Sequence, residues 1–588
     1  MSGIKDKIKD VISKPKVKWG LIISGILIGI VLIIVIIVVA MYPNGKGIGA
    51  YKTVPDESGL QYRLGNGNCC VGNYWDDGKL AYISSLAGND GQRKKLPEYH
   101  FERWGYGIEI DDCKTNTKVG ILDVVGYLCG PTDDHSSKIV GSTESCYPKN
   151  LYEEIWKDEN TVNPDNYWAN YVYQTVSTYK NYIKIWETWN EPDYTRNYNA
   201  VGKWKTQPPN PDDLLTWHGT IFQYIRLLRI TYEVAKKVDP TCFVATGGLG
   251  YTSFLDAIMR YTDNPEDGSV SWDYPAYGGA YFDCDAYHQY PQYGVTDEET
   301  GESYNDNGSD SLAKKVVILK KNHHYTIKKH GFGSEYPDKI FINTETGLDS
   351  GGSGIGGDLV RRNWIIKLAL YCIEYDVKQT HMLLLTDGGD GSGDYEKLGQ
   401  FSSYSSYEEA FKNNLKSSSK PRIILKKMNI GKYIFDQDKT KELRNSLPSD
   451  KNATGIVLQR KFPKEENETY YAGYIYSIWI YCQKEEISKE QEIQLSLPFD
   501  PLYIDWQGKE QQYKKNLKVK ISSTPIFLIG GVVEKQDKKT SGFVIFLIVV
   551  GIIVLVLIFG IVGLFIYKKF IKKKEIPFNK HFLQSLLH

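Results

Sequence analysis

The chain has 588 residues, and its 71 lysines and arginines balance 71 aspartates and glutamates. This balance argues against nucleic acid or another polyanion as the main partner, because proteins that bind such molecules present a strongly basic surface. The length is enough for one large domain and a smaller one, since single barrel domains commonly reach about 250 residues or more.

The chain begins with a basic segment at 1–18, followed by the uncharged apolar segment 19–42. An apolar run of this length can cross a bilayer core of about 30 Å as a helix that rises about 1.5 Å per residue. It is longer than the apolar part of a cleaved signal peptide. We therefore predict a transmembrane helix that acts as a signal anchor, with a linker at 43–59.

Beyond this linker, short apolar β-rich runs alternate with longer helical patterns. This order is typical of a parallel α/β sheet. The number of units predicts a closed (β/α)8 TIM barrel over 60–430, with a doubly wound open sheet as the alternative fold. The predicted strands are 119–128, 183–190, 242–248, 282–290, 339–347 and 381–387, and the predicted helices are 165–180, 214–238, 252–261, 310–329 and 358–375.

Two glutamates follow strands of this predicted barrel. Glu191 lies in the motif Asn-Glu-Pro after the strand IKIWETW, and Glu345 lies at the end of KIFINT. Barrel active sites form at the carboxyl ends of the strands, so these two carboxylates are expected to converge. A pair of carboxyl groups supplies the acid and the nucleophile or base that cleavage of a glycosidic bond requires. A lone glutamate after a strand would more simply be a solvated loop residue.

After about Pro421 the pattern changes to short alternating strands separated by turn residues. We predict a small antiparallel β-sandwich at 431–533 and a linker at 534–540. The uncharged segment 541–567 and the lysine-rich tail 568–588 then predict a second transmembrane helix.

The lysines that flank the two predicted spans place both termini in the cytoplasm and the catalytic domain on the extracellular or lumenal side. Three N-x-S/T sequons, at Asn307, Asn452 and Asn467, fall between the spans. We therefore expect a membrane glycoprotein. The nine cysteines could form disulfides on that side, and their connectivity stays open.

At these motifs the sequence resembles the clan A glycoside hydrolases. The run from VGILDVVGYLCGP to IKIWETWNEPDY is most similar to glycoside hydrolase family 39, the β-xylosidases and α-L-iduronidases. The resemblance covers roughly 119–531. It implies a retaining mechanism with Glu191 as acid/base and Glu345 as nucleophile.

The resemblance also implies substrate-binding residues. Asn190 is expected to bind the sugar's 2-hydroxyl group, and His288 and Tyr290 match the strand-six pair that lines the subsite. The clan also requires an arginine beside the nucleophile near strand two, and Arg93 is our candidate. Strands one and two are not recognisable in the sequence, and Arg103 is an equally basic neighbour.

We therefore predict a membrane-anchored retaining glycoside hydrolase that acts on a carbohydrate substrate. No nucleotide, metal or cofactor motif is present, and two-carboxylate chemistry requires none. Two alternatives stay open: a non-catalytic carbohydrate-binding or adhesion protein on a barrel scaffold, and a membrane transglycosidase. The sugar, its linkage, exo or endo action, the membrane and the oligomeric state are not predicted.

Overall fold

The structure is a computed structural model that describes residues 55–69, 77–138, 145–349, 355, 357–387, 397–402, 412, 414–464 and 468–531. The predicted spans at 19–42 and 541–567 and the sequon at Asn467 lie outside these residues. Within the described ranges, none of the helices combines the length and the apolar character needed to cross a bilayer.

Eight parallel strands close into a barrel in the order in which they follow one another along the chain. This arrangement confirms the predicted barrel and excludes the doubly wound sheet. The strands are β1 (Arg63–Cys69), β2 (Gly91–Pro97), β3 (Val124–Cys129), β4 (Ile183–Thr188), β5 (Phe243–Ala245), β6 (Cys284–His288), β7 (Ile340–Thr346) and β8 (Val377–Leu384). A small hairpin, Val295–Thr296 with Ser303–Tyr304, follows β6.

Helices connect the strands of the barrel, and the longer ones pack around it. They are α1 (Asp77–Leu86), α2 (Glu98–Trp104), α3 (Ile110–Lys118), α4 (Tyr167–Tyr179), α5 (Tyr198–Val201), α6 (Ile221–Val238), α7 (Thr252–Arg260), α8 (Ser309–Lys329), α9 (Asp358–Glu374) and α10 (Pro421–Lys427).

The interior of the barrel follows from the alternation of side chains along each strand. A separate apolar cluster from β3 to β7 fills one part of it, and includes Val125, Ile185, Ala286 and Ile342. Two residues further along these strands, on the same side, the interior side chains are polar, as at Glu187, His288 and Thr344. The apolar cluster therefore supports a polar layer near the carboxyl ends of the strands.

Two predicted elements begin later than the sequence suggests. The predicted strand 119–128 starts only at Val124, because Gly120 and Asp123 adopt positive φ angles of 77° and 51° that form a turn. The predicted helix 214–238 starts at Ile221, because Thr220 caps it in a capping box with Gln223.

The second domain consists of two antiparallel sheets. The strands are β9 (Tyr433–Phe435), β10 (Ala453–Arg460), β11 (Tyr474–Ile480), β12 (Gln491–Ser496), β13 (Leu502–Ile504), β14 (Glu510–Gln512), β15 (Asn516–Ile521) and β16 (Ile526–Gly530), and helix α11 (Gln437–Ser446) covers one side. The six-stranded sheet has the order β9-β10-β11-β16-β13-β14, and β12 pairs with β15 in the other. Apolar side chains from both sheets form a common core.

This domain differs from the expected pattern in two places. Helix α11 lies within 431–533, where only strands were expected. The apolar run 517–531 reads as one strand but forms β15 and β16, which belong to different sheets. Pro525 lies between them and cannot donate a ladder hydrogen bond, so the chain changes sheets there.

The barrel and the sheet domain belong to one compact unit, and a buried carboxylate joins them. Asp310, in α8, accepts hydrogen bonds from Lys367 Nζ at 2.6 Å and Tyr371 Oη at 2.7 Å in α9. It also accepts from Trp479 Nε1 at 2.9 Å and from the backbone N–H of Cys482 at 2.7 Å, both in the sheet domain.

Candidate active site

The segment after β4 has an unusual backbone that aims Glu191 over the barrel. Trp189 and Glu191 have positive φ angles of 75° and 46°, which non-glycine residues rarely adopt. The Glu191 N–H donates to the carbonyl oxygen of Gly247 at 2.5 Å, and the Trp189 N–H donates to Leu128 at 2.9 Å. Bonds to β3 and to the segment after β5 therefore hold this strained turn in place.

Glu345 lies in β7 and receives a hydrogen bond on each carboxylate oxygen. Arg93 Nη1 donates to Oε2 at 3.1 Å, and Tyr290 Oη donates to Oε1 at 2.5 Å. Two donors, one of them cationic, suit a carboxylate that must carry negative charge when it attacks.

Arg93, in β2, bonds to Glu345 and to a second buried glutamate, Glu187, in the barrel interior. Its guanidinium forms a two-point ion pair with Glu187 in β4, at 2.6 and 3.1 Å. Its Nη2 also donates to Asn190 Oδ1 at 2.6 Å. Burial disfavours the charge on Arg93, but the carboxylates of Glu187 and Glu345 outweigh this effect and raise its pKa.

The contact with Arg93 determines how the Asn190 amide points. Arg93 can only donate, so the Asn190 oxygen must face it. The amide nitrogen is therefore the end of the Asn190 side chain that does not bond to Arg93.

His288, at the end of β6, contacts Glu191 directly. Its Nδ1 lies 2.7 Å from Glu191 Oε1, and its Nε2 lies 3.0 Å from Thr344 Oγ1. Burial lowers the pKa of His288 to about 4, so its imidazole is neutral at neutral pH. The Glu191 side chain is 27% exposed. Desolvation nevertheless raises its pKa to about 7, against the opposing effect of Arg93.

Asp193 is a buried neighbour of Glu191 that sequence reasoning missed. It accepts hydrogen bonds from the N–H groups of Gly250 at 2.8 Å and Tyr251 at 2.7 Å, which fastens the loop after β4 to the loop after β5. Burial raises the pKa of Asp193 to about 7. Its position after Glu191-Pro192 was visible in the sequence, but its burial was not.

Glu187 and Thr344 were also missed. They lie inside β4 and β7, strands of a parallel barrel that are buried on both faces, where polar side chains are not normally expected. The signal that could have identified them is parity: Glu187 lies two residues after the interior Ile185, and Thr344 lies two residues after the interior Ile342.

Ligating atoms of Glu191, His288 and Glu345 all lie within 4.8 Å of one another. Among the described residues these three side chains could therefore hold a metal ion. Their atoms already bond to each other, to Tyr290 and to the Arg93 cation, which competes with a metal. This set therefore fits an acid and a nucleophile better than a metal site.

A cavity of about 1100 Å³ opens above the two glutamates. Its wall comes mainly from the loops that follow β4, β5 and β6. The lining residues include Glu191, Tyr194, Tyr198, Tyr251, His288, Tyr290, Tyr293 and Glu345.

The structure thus brings the predicted residues Arg93, Asn190, Glu191, His288, Tyr290 and Glu345 together in one site. Arg103 does not join them: it is exposed and lies over the Trp104 ring at 5.0 Å. The roles assigned to the six residues stay predictions.

No family model matches the sequence, and no curated protein sequence matches it. The structure is similar to a family 39 glycoside hydrolase from the gut symbiont Bacteroides cellulosilyticus WH2, with a TM-score of 0.50 and 17% identity, covering 81% of this chain and 82% of that one.

Two further solved structures match more weakly. A family 30 subfamily 8 xylanase from Clostridium acetobutylicum has a TM-score of 0.44 and 12% identity, covering 82% of this chain and 98% of that one. An endo-β-1,4-mannanase from Thermotoga petrophila has a TM-score of 0.36 and 13% identity, covering 79% and 98%.

The fold and the site together define a (β/α)8 barrel with two carboxylates at the carboxyl ends of β4 and β7. More particularly, the chain has the fold of a family 39 glycoside hydrolase. The resemblance to clan A glycoside hydrolases is therefore confirmed at the level of the fold.

Proposed function

We propose that this protein is a retaining glycoside hydrolase with Glu191 as acid/base and Glu345 as nucleophile. The observation that carries the proposal is the spacing of these groups, since a carboxylate oxygen of one lies within 4.8 Å of one on the other. Retaining enzymes place their carboxyl groups about 5–5.5 Å apart, whereas inverting enzymes need about 6.5–9.5 Å to admit a water molecule.

The two glutamates also differ in environment, as the two roles require. Burial raises the pKa of Glu191 to about 7, so near neutral pH it can hold the proton that the leaving oxygen needs. Glu345 receives hydrogen bonds from Arg93 and Tyr290, which suit its negatively charged form.

The reaction follows from these positions. Glu191 protonates the glycosidic oxygen while a Glu345 oxygen attacks the anomeric carbon, so the C–O bond to the leaving group breaks and a glycosyl ester forms. Ionised Glu191 then removes a proton from water, and the water oxygen displaces Glu345 from the anomeric carbon. The Asn190 amide nitrogen can donate to the sugar's 2-hydroxyl group in both steps.

The test is hydrolysis of a panel of activated aryl glycosides by the full-length chain in detergent. We expect hydrolysis of one glycone, with rates at least about 10³-fold lower in Glu345→Ala and a glycosyl azide of inverted configuration when azide is added to that variant. Glu191→Ala should lose most activity on poor leaving groups and keep more on good ones.

A matched control is Glu335→Ala, which removes an exposed glutamate outside the cavity and should leave the rates unchanged. Sugar binding without hydrolysis across the panel would favour the carbohydrate-binding alternative. A predominance of transfer products with added acceptor sugars would favour the transglycosidase.

We further propose that the barrel lies on the extracellular or lumenal side of a membrane, held by spans at 19–42 and 541–567. In support, the sequons at Asn307 and Asn452 are exposed. Expression in eukaryotic cells should give a glycosidase-sensitive mass shift that Asn307→Gln with Asn452→Gln reduces. Lack of glycosylation together with protease digestion of the barrel from the cytoplasmic side would contradict this topology.

A further inference from the structure

The cavity continues from the catalytic pair along the side on which Glu191 lies. Tyr194 lies in the loop after β4, Tyr198 begins helix α5, Tyr251 comes from the loop after β5, and Tyr293 comes from the loop after β6. We call these four side chains the tyrosine wall.

The tyrosine wall presents aromatic surface to solvent. Tyr194, Tyr198 and Tyr293 are 41%, 69% and 57% exposed. Aromatic rings offer a flat apolar face together with a polar hydroxyl, which suits the C–H face and the hydroxyl groups of a sugar ring. The cavity of about 1100 Å³ slightly exceeds the roughly 300–1,000 Å³ typical of small-molecule pockets, so it has room for more than one ring.

Resting on the proposed function, we propose that the tyrosine wall binds a leaving group that is itself a chain of uncharged sugars. The general acid protonates the leaving oxygen, so the leaving group must lie on the Glu191 side of the bond. Lys205 and Glu298, at the edge of the wall, pair with each other at 3.4 Å and neutralise each other, which favours an uncharged ligand.

The test compares the variant Tyr198→Ala/Tyr293→Ala with the wild-type full-length chain on two substrates that share one glycone, an aryl glycoside and a trisaccharide. We expect kcat/KM for the trisaccharide to fall at least about tenfold more than kcat/KM for the aryl glycoside, because only the trisaccharide places sugars on the wall. Trp272→Ala is the control, since Trp272 is 95% exposed outside the cavity and should affect neither substrate.

Binding separates this proposal from the proposed function. Calorimetry with gluco-, manno- and xylo-trisaccharides should find one that binds the wild type more tightly than it binds the tyrosine variant, even if no glycoside is hydrolysed. Equal trisaccharide binding by the two proteins would overturn the proposal. So would the same ratio of kcat/KM for the two substrates in both proteins, or failure of all the trisaccharides to bind.

A second inference comes from the hydrogen bonds below Glu191. Glu187 receives two bonds from Arg93, which requires it to be a carboxylate that only accepts. Its Oε1 also lies 2.8 Å from Thr344 Oγ1, so the single hydroxyl proton of Thr344 is donated to Glu187.

This direction determines the tautomer of His288. Because the Thr344 proton is already used, its oxygen must accept from His288 Nε2–H at 3.0 Å. A neutral imidazole with its proton on Nε2 has a lone pair on Nδ1. That lone pair, 2.7 Å from Glu191 Oε1, can only accept, so Glu191 must be the protonated partner.

We propose that Glu187 and Thr344 are positioning residues that keep the proton on Glu191 by fixing the tautomer of His288. The other charged groups facing this chain are Arg93 and Glu345 beside His288, and Asp193 beside Glu191. None of these three contacts His288 Nε2, and Glu187 Oε1 lies 4.0 Å from it, beyond hydrogen-bond distance, so the hydroxyl of Thr344 is the hydrogen-bond partner that selects the tautomer.

The test uses Thr344→Val, which removes the hydroxyl and keeps the shape, and Thr344→Ser, which restores the hydroxyl. Nitrogen NMR of histidine-labelled full-length protein, with the signal assigned by His288→Gln, should show an Nε2–H tautomer in the wild type and in Thr344→Ser. In Thr344→Val the Nδ1–H tautomer should appear, and the alkaline limb of kcat/KM should move to lower pH.

If the role of Thr344 were merely structural, Thr344→Val would lower the rate but change neither the tautomer of His288 nor the pH of the alkaline limb of kcat/KM. An Nδ1–H tautomer in the wild type, or an unchanged tautomer in Thr344→Val, would overturn the proposal. Both NMR outcomes are independent of whether the protein hydrolyses any glycoside.

Discussion

At the scale of single residues, the site depends on the different surroundings of its two glutamates, Glu191 and Glu345. Burial raises the pKa of Glu191, whereas Arg93 and Tyr290 donate to Glu345. Their identity and their place at strand ends could be predicted from the sequence, because strand ends and the Asn-Glu-Pro motif are local features. The contacts of Arg93 and Tyr290 with Glu345 are not local features, because these residues are distant in sequence, and only the family resemblance suggested both residues for the site.

The pH dependence of activity follows from Glu191. Its pKa in the folded protein, about 7, lies above its ordinary value, so it is protonated below pH 7 and loses its proton above. We expect kcat/KM on a poor leaving group to fall about tenfold per pH unit on the alkaline side of about 7. In Glu191→Gln this limb should disappear from the residual rate. A limb near pH 4 to 5 in the wild type would contradict the assignment.

Arg93 should not tolerate replacement by the other basic residue. Arg93→Lys keeps the charge but cannot contact Glu187, Asn190 and Glu345 at once. We expect kcat to fall about 10²-fold or more, comparable to the loss of one preorganised donor. Steady-state kinetics and circular dichroism would measure the rate and the fold. Arg103→Lys, on the exposed surface, should match the wild type.

At the scale of elements, the barrel strands show where sequence patterns fail. β4 and β7 were recognised from their apolar runs. β1 and β2 were not, because their sequences, RLGNGNC and GQRKKLP, look like loops. In β2 the charged side chains are satisfied inside the fold: Arg93 pairs with Glu187 in the barrel, and Lys94 pairs with Glu109 at 2.7 Å. Partners distant in sequence make this strand possible.

The turn after β5 should also be sensitive to substitution. Gly248 has a φ of +68°, and a Cβ atom there would lie 2.2 Å from His288 Nε2. Gly248→Ala should therefore displace His288, lower kcat/KM at least about tenfold and destabilise the fold by about 1–3 kcal/mol. Kinetics and urea denaturation would test both effects. In Gly59→Ala the added Cβ meets no atom within 4 Å, so this variant should match the wild type.

At the scale of the whole molecule, the barrel and the sheet domain should unfold together. Asp310 bonds to groups in both and is fully buried. Neither its burial nor its partners were visible in the sequence, where it appears as an ordinary acidic residue at the start of a helix. The division into a barrel and a β-rich region was visible, because it depends on local periodicity.

Removing this carboxylate should be costly. Asp310→Ala leaves the buried charge of Lys367 without its carboxylate partner, so we expect the free energy of unfolding to fall by about 3–5 kcal/mol. Chemical denaturation followed by both fluorescence and activity would measure this. Asp111→Ala removes a carboxylate that is 92% exposed, and its effect should be within about 1 kcal/mol. Equal effects of the two variants would show that Asp310 does not stabilise the junction.

The buried contacts of Arg93 can form only late in folding. Its acceptors lie 94, 97 and 252 residues away along the chain, at Glu187, Asn190 and Glu345. A chain that has formed only its first half therefore holds this cation without its last partner, and the partner arrives only when β7 enters the barrel. During refolding, enzymatic competence should thus appear after most helical signal has returned, as one of the latest events.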